Sequence, residues 1–132
     1  MIRRDYIMRI ISQLIKALGK LSGLITAKQF KEAFDYGSQQ SKELFGLDFR
    51  QLLDSAPEEI MSEEMRKAQG VLDSMGNYFT MMCEVSSNMG DYETAANMRV
   101  KALFFLETAE SESKSFSLDR QVAINELKEN LF

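Results

Sequence analysis

The amino-acid sequence predicts an all-helical protein with a single domain. Apolar residues recur at intervals of three and four positions instead of alternating with polar ones, and proline occurs once. The chain has 132 residues, of which 45% are hydrophobic, which is enough for one continuous core. We therefore expect residues 1–132 to form about five main helices and a short helical connector, packed as antiparallel hairpins in a bundle.

Residues 1–46 are predicted to form a basic amino-terminal helical pair. The first helix should span about residues 2–21, with Gly23 as its stop. Its apolar stripe consists of Ile7, Ile10, Ile11, Leu14, Leu18 and Leu21.

The second helix should begin at a capping box formed by Thr26 and Gln29 and end near Phe45. Its predicted buried face consists of Ala27, Phe30, Phe34, Gly37, Ser41 and Leu44. The small residues Gly37 and Ser41 predict a close approach by a neighbouring helix. Residues 47–61 are then a connector.

Two further caps are predicted within this connector. Asp48 is placed to cap a short helix, and Ser55 with Glu58 forms a second capping-box pattern around Pro57.

Residues 62–132 are predicted to form a helical hairpin and a terminal helix. The first member, about residues 62–88, carries a heptad-like seam of Met65, Ala68, Leu72, Met75, Phe79, Met82, Ser86 and Met89. After a turn at Gly90 and Asp91, the second member is apolar nearly all round, so we expect it in the middle of the bundle. Its apolar residues include Tyr92, Ala95, Ala96, Val100, Ala102, Leu103, Phe104, Phe105, Leu106 and Ala109.

The polar residues 111–115 are predicted to be a loop, after which Ser117 caps the last helix. The residues of that helix expected to pack inward are Leu118, Val122, Ile124, Leu127 and Leu131.

The segment from Asn77 to Glu107 resembles one tetratricopeptide helix-turn-helix unit. The positions that carry the resemblance are Phe79, Met82, Cys83, Gly90, Ala95 and Ala102, in the run Gly90-Asp91-Tyr92-Glu93-Thr94-Ala95 and the later Lys101-Ala102-Leu103. Arg99 and Glu107 depart from that pattern, and no second copy follows at the 34-residue period. The resemblance implies a short right-handed helical array that binds other proteins; a generic helical pair is the alternative.

The opening run Arg3-Arg4-Asp5-Tyr6-Ile7 resembles the start of an uncharacterised family of small bacterial proteins. That resemblance implies no activity.

The absence of histidine excludes Ser-His-Asp and Cys-His catalysis and disfavours a carboxylate-bridged diiron centre. The sequence predicts no cofactor and no metal. The lone Cys83 cannot form an internal disulfide, which is typical of a reducing compartment, and we expect a buried thiol. Arg9 and Lys16 interrupt the apolar region that a signal peptide would need, so we expect a cytoplasmic protein.

Basic residues are concentrated in the first helix. Seven basic residues, against Asp5 alone, fall between residues 1 and 31, and five of the seven lie in the predicted first helix. The preferred interpretation is that this helix folds against the acidic remainder of the chain. The alternative is that Arg3, Arg4, Arg9 and Lys16 contact an anionic partner, including the surface of a membrane. No nucleic-acid reading motif accompanies them, so no nucleic-acid partner is predicted.

The sequence favours a protein-protein interaction or self-assembly module over an enzyme, for which no constellation of carboxylates or tyrosines argues. The methionines near the hairpin could form an adaptable groove, although core filling is the preferred interpretation. The hairpin residues chosen as candidates for binding a protein or peptide are Met89, Tyr92, Met98 and Arg99, beside the basic residues of the first helix. Arg99 interrupts an apolar face, so we expect it to pair with a carboxylate or to enter a polar groove.

Overall fold

The computed structural model describes the backbone of residues 2–130 and the side chains of residues 4–130, and it confirms the all-helical fold. In chain order the helices are α1 (Ile2–Thr26), α2 (Phe30–Phe45), α3 (Phe49–Asp54), α4 (Glu63–Lys67), α5 (Val71–Asn88), α6 (Tyr92–Glu112) and α7 (Leu118–Glu129). A single turn of 3-10 helix, Pro57–Glu59, lies between α3 and α4. The described residues contain no β-strand.

The central helix is α5, not α6 as the apolar pattern predicted. Helices α1, α2, α4, α6 and α7 all pack against α5. Tyr78, Phe79 and Met82 of α5 are fully buried, whereas α6 leaves Tyr92 and Val100 exposed. The apolar residues of α6 therefore fill one face and continue onto a second face that no described residue covers.

Two glycines let the neighbouring helices α2 and α6 approach α5 closely. A Cβ at Gly37 of α2 would lie 2.4 Å from the sulfur of Met82, and the Tyr78 hydroxyl donates a 2.7 Å hydrogen bond to the Gly37 carbonyl. A Cβ at Gly76 of α5 would lie 2.5 Å from Cγ of Leu106. The predicted close approach at Gly37 is thus confirmed.

The predicted boundary between α1 and α2 is wrong. Helix α1 continues through Gly23 to Thr26, and the turn falls at Lys28, whose φ is +59°. Gln29 occupies the cap position of α2 without a side-chain bond, so the expected capping box with Thr26 does not form. Ala27, placed on the buried face by the sequence pattern, is exposed in this turn.

The predicted helix over residues 62–88 is divided into α4 and α5. Ala68 is extended and Gly70 has a φ of +80°, a left-handed conformation that glycine adopts at little cost. The seam residues are otherwise buried or partly buried, except that Met89 at the end is exposed.

Side-chain caps at helix starts follow the sequence at three sites. Asp48, Asp91 and Ser117 each accept a hydrogen bond from the amide three residues later. The box predicted at Ser55 does not form, since the Ser55 hydroxyl donates to the Gln51 carbonyl; one residue further along, the Ala56 amide donates to the Glu59 carboxylate, which is one of the two bonds of such a box. Helix α6 also continues to Glu112, into the predicted loop.

Helix α7 faces the core differently from the prediction. Leu118 and Val122, which were expected to pack inward, are exposed, and the inward position between them is taken by Arg120. Ile124 and Leu127 are buried as predicted. Leu131 lies outside the described residues.

Candidate functional site

The α5–α6 hairpin is held by a tight turn. The Gly90 amide donates to Ser87 O, the Asp91 amide donates to Ser86 O, and Gly90 has a φ of +78°. The Asp91 carboxylate then accepts the Thr94 amide at 3.1 Å. This turn fixes which face of α6 points away from α5.

The outward face of α6 carries a row of apolar residues, Tyr92, Ala96 and Val100. Their spacing of four residues places them along one side of the helix. Tyr92 is 71% exposed and Val100 is 62% exposed, and Ala96 between them is also exposed. On the opposite side Ala95, Met98 and Ala102 are buried in the core. We call Tyr92, Ala96 and Val100 the α6 stripe.

An acidic cleft adjoins the α6 stripe. It has a volume of about 480 Å³ and lies between α3 and the start of α6. The charged side chains that line it are Arg50, Asp54, Asp91 and Glu93, so three carboxylates face one guanidinium. Glu93 is next to Tyr92 in the chain and seven residues before Val100, which places negative charge along one edge of the stripe.

A buried lysine ties α3 to α6 beside this cleft. Lys101 is only 3% exposed, and its ammonium donates to Asn97 Oδ1 and to the carbonyl of Leu53, which also accepts the Asn97 amide at 3.0 Å. Burial lowers the pKa of Lys101, an effect that Asp54 opposes. The carbonyl belongs to the last turn of α3, where a positive charge is favourable. Lys101 therefore fixes the wall of the cleft.

The four hairpin residues chosen from the sequence do not form one surface. Tyr92 and Met89 are exposed near the turn. Met98 is fully buried, so its selection as a binding residue is wrong: it packs in the core against α5. Core filling, the preferred interpretation of the methionines, is confirmed for Met75, Met82 and Met98.

Arg99 does not pair with any described carboxylate, which is one of the two outcomes expected for it; the other, entry into a polar groove, stays a prediction. Its guanidinium donates a 2.7 Å hydrogen bond to the amide oxygen of Asn130, and no carboxylate among the described residues forms an ion pair with it. Its buried Nε lacks a hydrogen-bond partner. Arg99 lies beside Cys83, whose pKa is raised by burial and lowered in part by that guanidinium. The Cys83 side chain is buried, as predicted.

Three cations of α1 point to solvent, and Lys20, a fourth, lies over the ring of Tyr36 of α2. Arg4, Arg9 and Lys16 are exposed, and none of them forms an ion pair with a described residue. Arg9 instead lies over the ring of Tyr6, at 5.4 Å from its centroid. Helix α1 does pack against α2 and α5, in the acidic remainder of the chain, as the preferred prediction expects, but these three cations take no part in ion pairs there. The side chain of Arg3 lies outside the described residues.

The sequence pattern missed an ionic network at the other end of the hairpin. Arg120 of α7 donates to Asp73 of α5 through Nε at 2.7 Å and Nη2 at 2.8 Å, and to Glu110 of α6 through Nη1 at 2.9 Å. These bonds raise the pKa of Arg120 above its ordinary value, the bond to Asp73 most strongly, and so keep the guanidinium charged. A cavity of about 570 Å³ opens beside it, with Arg66 held at 3.1 Å from Glu112. Because most of these charges are already paired, the network joins helices instead of offering a free charged site.

The described residues hold no group of three or more Cys, Asp and Glu side chains that could bind a metal ion. Within that same part of the chain no helix has the length and apolar character needed to cross a membrane.

No protein-family model, curated protein or solved structure matches this chain. The resemblances to the tetratricopeptide unit and to a bacterial protein family therefore stay predictions.

Proposed function

We propose that this protein is a protein-binding module without catalytic activity, and that the α6 stripe receives a segment of its partner. The observation that carries the proposal is the row of Tyr92, Ala96 and Val100, left uncovered on a helix whose opposite face fills the core. Exposed apolar residues that are aligned on one helix are typical of a docking surface, whereas single exposed apolar residues are not.

The charge beside the α6 stripe specifies the chemistry of the partner segment. Asp54, Asp91 and Glu93 line the adjoining cleft with a net negative charge. A segment that covers the stripe and places Lys or Arg over the cleft gains from both surfaces, since complementary charge steers and orients association. We therefore propose an amphipathic, basic helix as the bound element.

The same hairpin supports a tetratricopeptide-like relationship, in which paired helices present a surface to a peptide. Gly90 forms the turn, and the small residues Ala95 and Ala102 are buried where α6 meets α5. A non-enzymatic role is supported by the state of Cys83, a buried thiol with a raised pKa that no histidine can activate. We also propose a reducing, cytoplasmic location, because a lone cysteine forms no internal disulfide.

Two synthetic helices test this proposal directly. Each carries the same leucine stripe, and one has lysine and the other glutamate along the flanks. In fluorescence anisotropy the lysine peptide should bind, with an affinity that falls as salt rises, and the glutamate peptide should not.

The double variant Tyr92→Ser/Val100→Ser should lose at least tenfold in affinity for the lysine peptide. Leu118→Ser/Val122→Ser, which changes exposed apolar residues on α7, is the matched control and should bind as the wild type does. Equal binding of the two peptides, or unchanged binding by the α6 variant, would contradict the proposed docking surface.

A further inference from the structure

Two helices far apart in the sequence, α1 and α7, also leave apolar side chains uncovered. On α1, Met8 and Ile15 are 58% and 60% exposed. On α7, Leu118 and Val122 are 66% and 45% exposed, and Phe116 just before the helix is exposed as well. Spacings of seven and four residues put each pair on one side of its helix.

The charges beside these apolar residues have opposite signs on the two helices. On α1 the cations Arg4, Arg9 and Lys16 are exposed, with Asp5 as the acidic exception. The acidic residues of α7 are Asp119, Glu126 and Glu129, and its cations Arg120 and Lys128 are already paired with carboxylates of other helices. No described residue forms an ion pair with any of the three named cations of α1 or the three named acids of α7.

From this complementarity we propose that the partner of these two surfaces is a second copy of the chain, with α1 of each copy lying on α7 of the other. Each of the two helices packs against α5. In the proposed dimer a two-fold axis lies between the copies, so that the α1–α7 contact occurs twice, in two equivalent forms. In each contact Met8 and Ile15 meet Leu118 and Val122, and the flanking arginine and lysine meet the acidic residues of α7. The α6 stripe takes no part, so this dimer and the proposed docking surface stand or fall separately.

An anionic bilayer would also match the cations of α1, but it leaves the α7 surface unexplained. It would repel Asp119 and Glu129, and the apolar residues beside them would stay in water. A second copy covers both apolar surfaces and neutralises both sets of charges. The dimer is therefore the occupant that these observations favour.

Charge exchange between the two helices tests the dimer. Sedimentation velocity of the wild type at low salt should show a species with twice the 15.1 kDa mass of one chain, with at least a tenfold weaker association at high salt. Arg9→Glu/Lys16→Glu and Asp119→Lys/Glu129→Lys should each be monomeric, because every α1–α7 contact then joins like charges. All four positions are exposed, and circular dichroism should report unchanged helix content.

Mixing the two charge variants should restore a dimer that contains one copy of each, because both of its contacts again join opposite charges. The control Tyr92→Ser/Val100→Ser should dimerise as the wild type does. A wild type that stays monomeric at all concentrations, or charge variants that still dimerise alone, would overturn the proposal. Failure of the mixed variants to associate would do the same. Flotation of a monomeric wild type with phosphatidylserine vesicles, lost in Arg9→Glu/Lys16→Glu, would assign the α1 surface to a bilayer instead.

Discussion

Arg120 of α7 joins α5 and α6 through ion pairs with Asp73 and Glu110, and the three side chains differ in their exposure to water. Its own side chain is 7% exposed, whereas those of Asp73 and Glu110 are each 36% exposed. Removing an acidic partner leaves a buried positive charge with one remaining carboxylate, while removing the arginine leaves two carboxylates that water can reach. The two kinds of change should therefore differ in their effect on stability.

We expect Asp73→Ala to lower the free energy of unfolding by about 3 kcal/mol and Arg120→Met by about 1 kcal/mol, measured by urea denaturation. Glu107→Ala removes an exposed bridge to Lys128 and should cost under about 1 kcal/mol. Equal losses for Asp73→Ala and Glu107→Ala would mean that burial of Arg120 does not set the strength of the network.

Glu84 makes the stability of the folded protein depend on pH. Burial, and then the nearby carboxylate of Glu126, raise the pKa of Glu84 above its ordinary value of 4.5. A raised pKa in the folded state means that the folded protein holds this proton more tightly than the unfolded chain, so stability is lost as pH rises through the raised pKa.

Glu84→Gln should therefore raise Tm at about pH 7, well above the ordinary pKa of 4.5, and the gain should vanish below about pH 4.5. Glu43→Gln, at an exposed position of α2, serves as the control in the same thermal melts. A gain of the same size at both pH values would rule out the protonation of Glu84 as its cause.

Within the helices, replacing a glycine has two opposite effects on stability. At a closely packed contact an added Cβ meets a neighbouring residue, whereas at an open position it only improves the local preference for helix. A Cβ at Gly76 would lie 2.5 Å from Cγ and Cδ2 of Leu106, so the Leu106 side chain, or α6 together with it, would have to move away from α5. Nothing lies within 4 Å of a Cβ at Gly19 or Gly23, both in the interior of α1. Gly76→Ala should cost about 1–3 kcal/mol, and Gly19→Ala should add about 0.5–1 kcal/mol, in chemical denaturation. A stabilised Gly76→Ala variant would show that the α5–α6 contact yields easily.

Local signals predicted the helices better than long-range ones predicted their orientation. The caps at Asp91 and Ser117 depend on residues three positions apart, and they form as expected. Gly23 fails as a stop because an interior glycine costs only about 1 kcal/mol, which the partial burial of Leu24 and Ile25 in the following turn offsets. The inward position of Arg120 depends on Asp73, 47 residues away, which no local pattern contains.

The candidate site shows the same division. Tyr92, a candidate for partner binding, is exposed, and Val100 was missed as a candidate because apolar residues occur nearly all round α6. The spacing of Tyr92, Ala96 and Val100 was the available signal, but only the placement of α5 shows which side of α6 is covered. Lys101 gave no sign of its burial, since its hydrogen-bond acceptor at Leu53 belongs to a separate helix.

For the whole molecule, the uncovered apolar rows lie on α1, α6 and α7, around a central α5 that is covered on several sides. Outer helices that expose apolar rows beside uneven charge are suited to binding. Of these helices, α6 is the one whose surface adjoins an acidic cleft.

Affinity capture with the tagged chain is the most direct test of that central claim. Wild type, Tyr92→Ser/Val100→Ser and Leu118→Ser/Val122→Ser are each incubated with the native cell lysate, and the retained proteins are quantified by mass spectrometry. We predict a protein with a basic amphipathic helix that the wild type and the α7 variant retain equally and that the α6 variant loses at least tenfold. Equal retention of every protein by the wild type and the α6 variant would contradict a binding role for the α6 stripe.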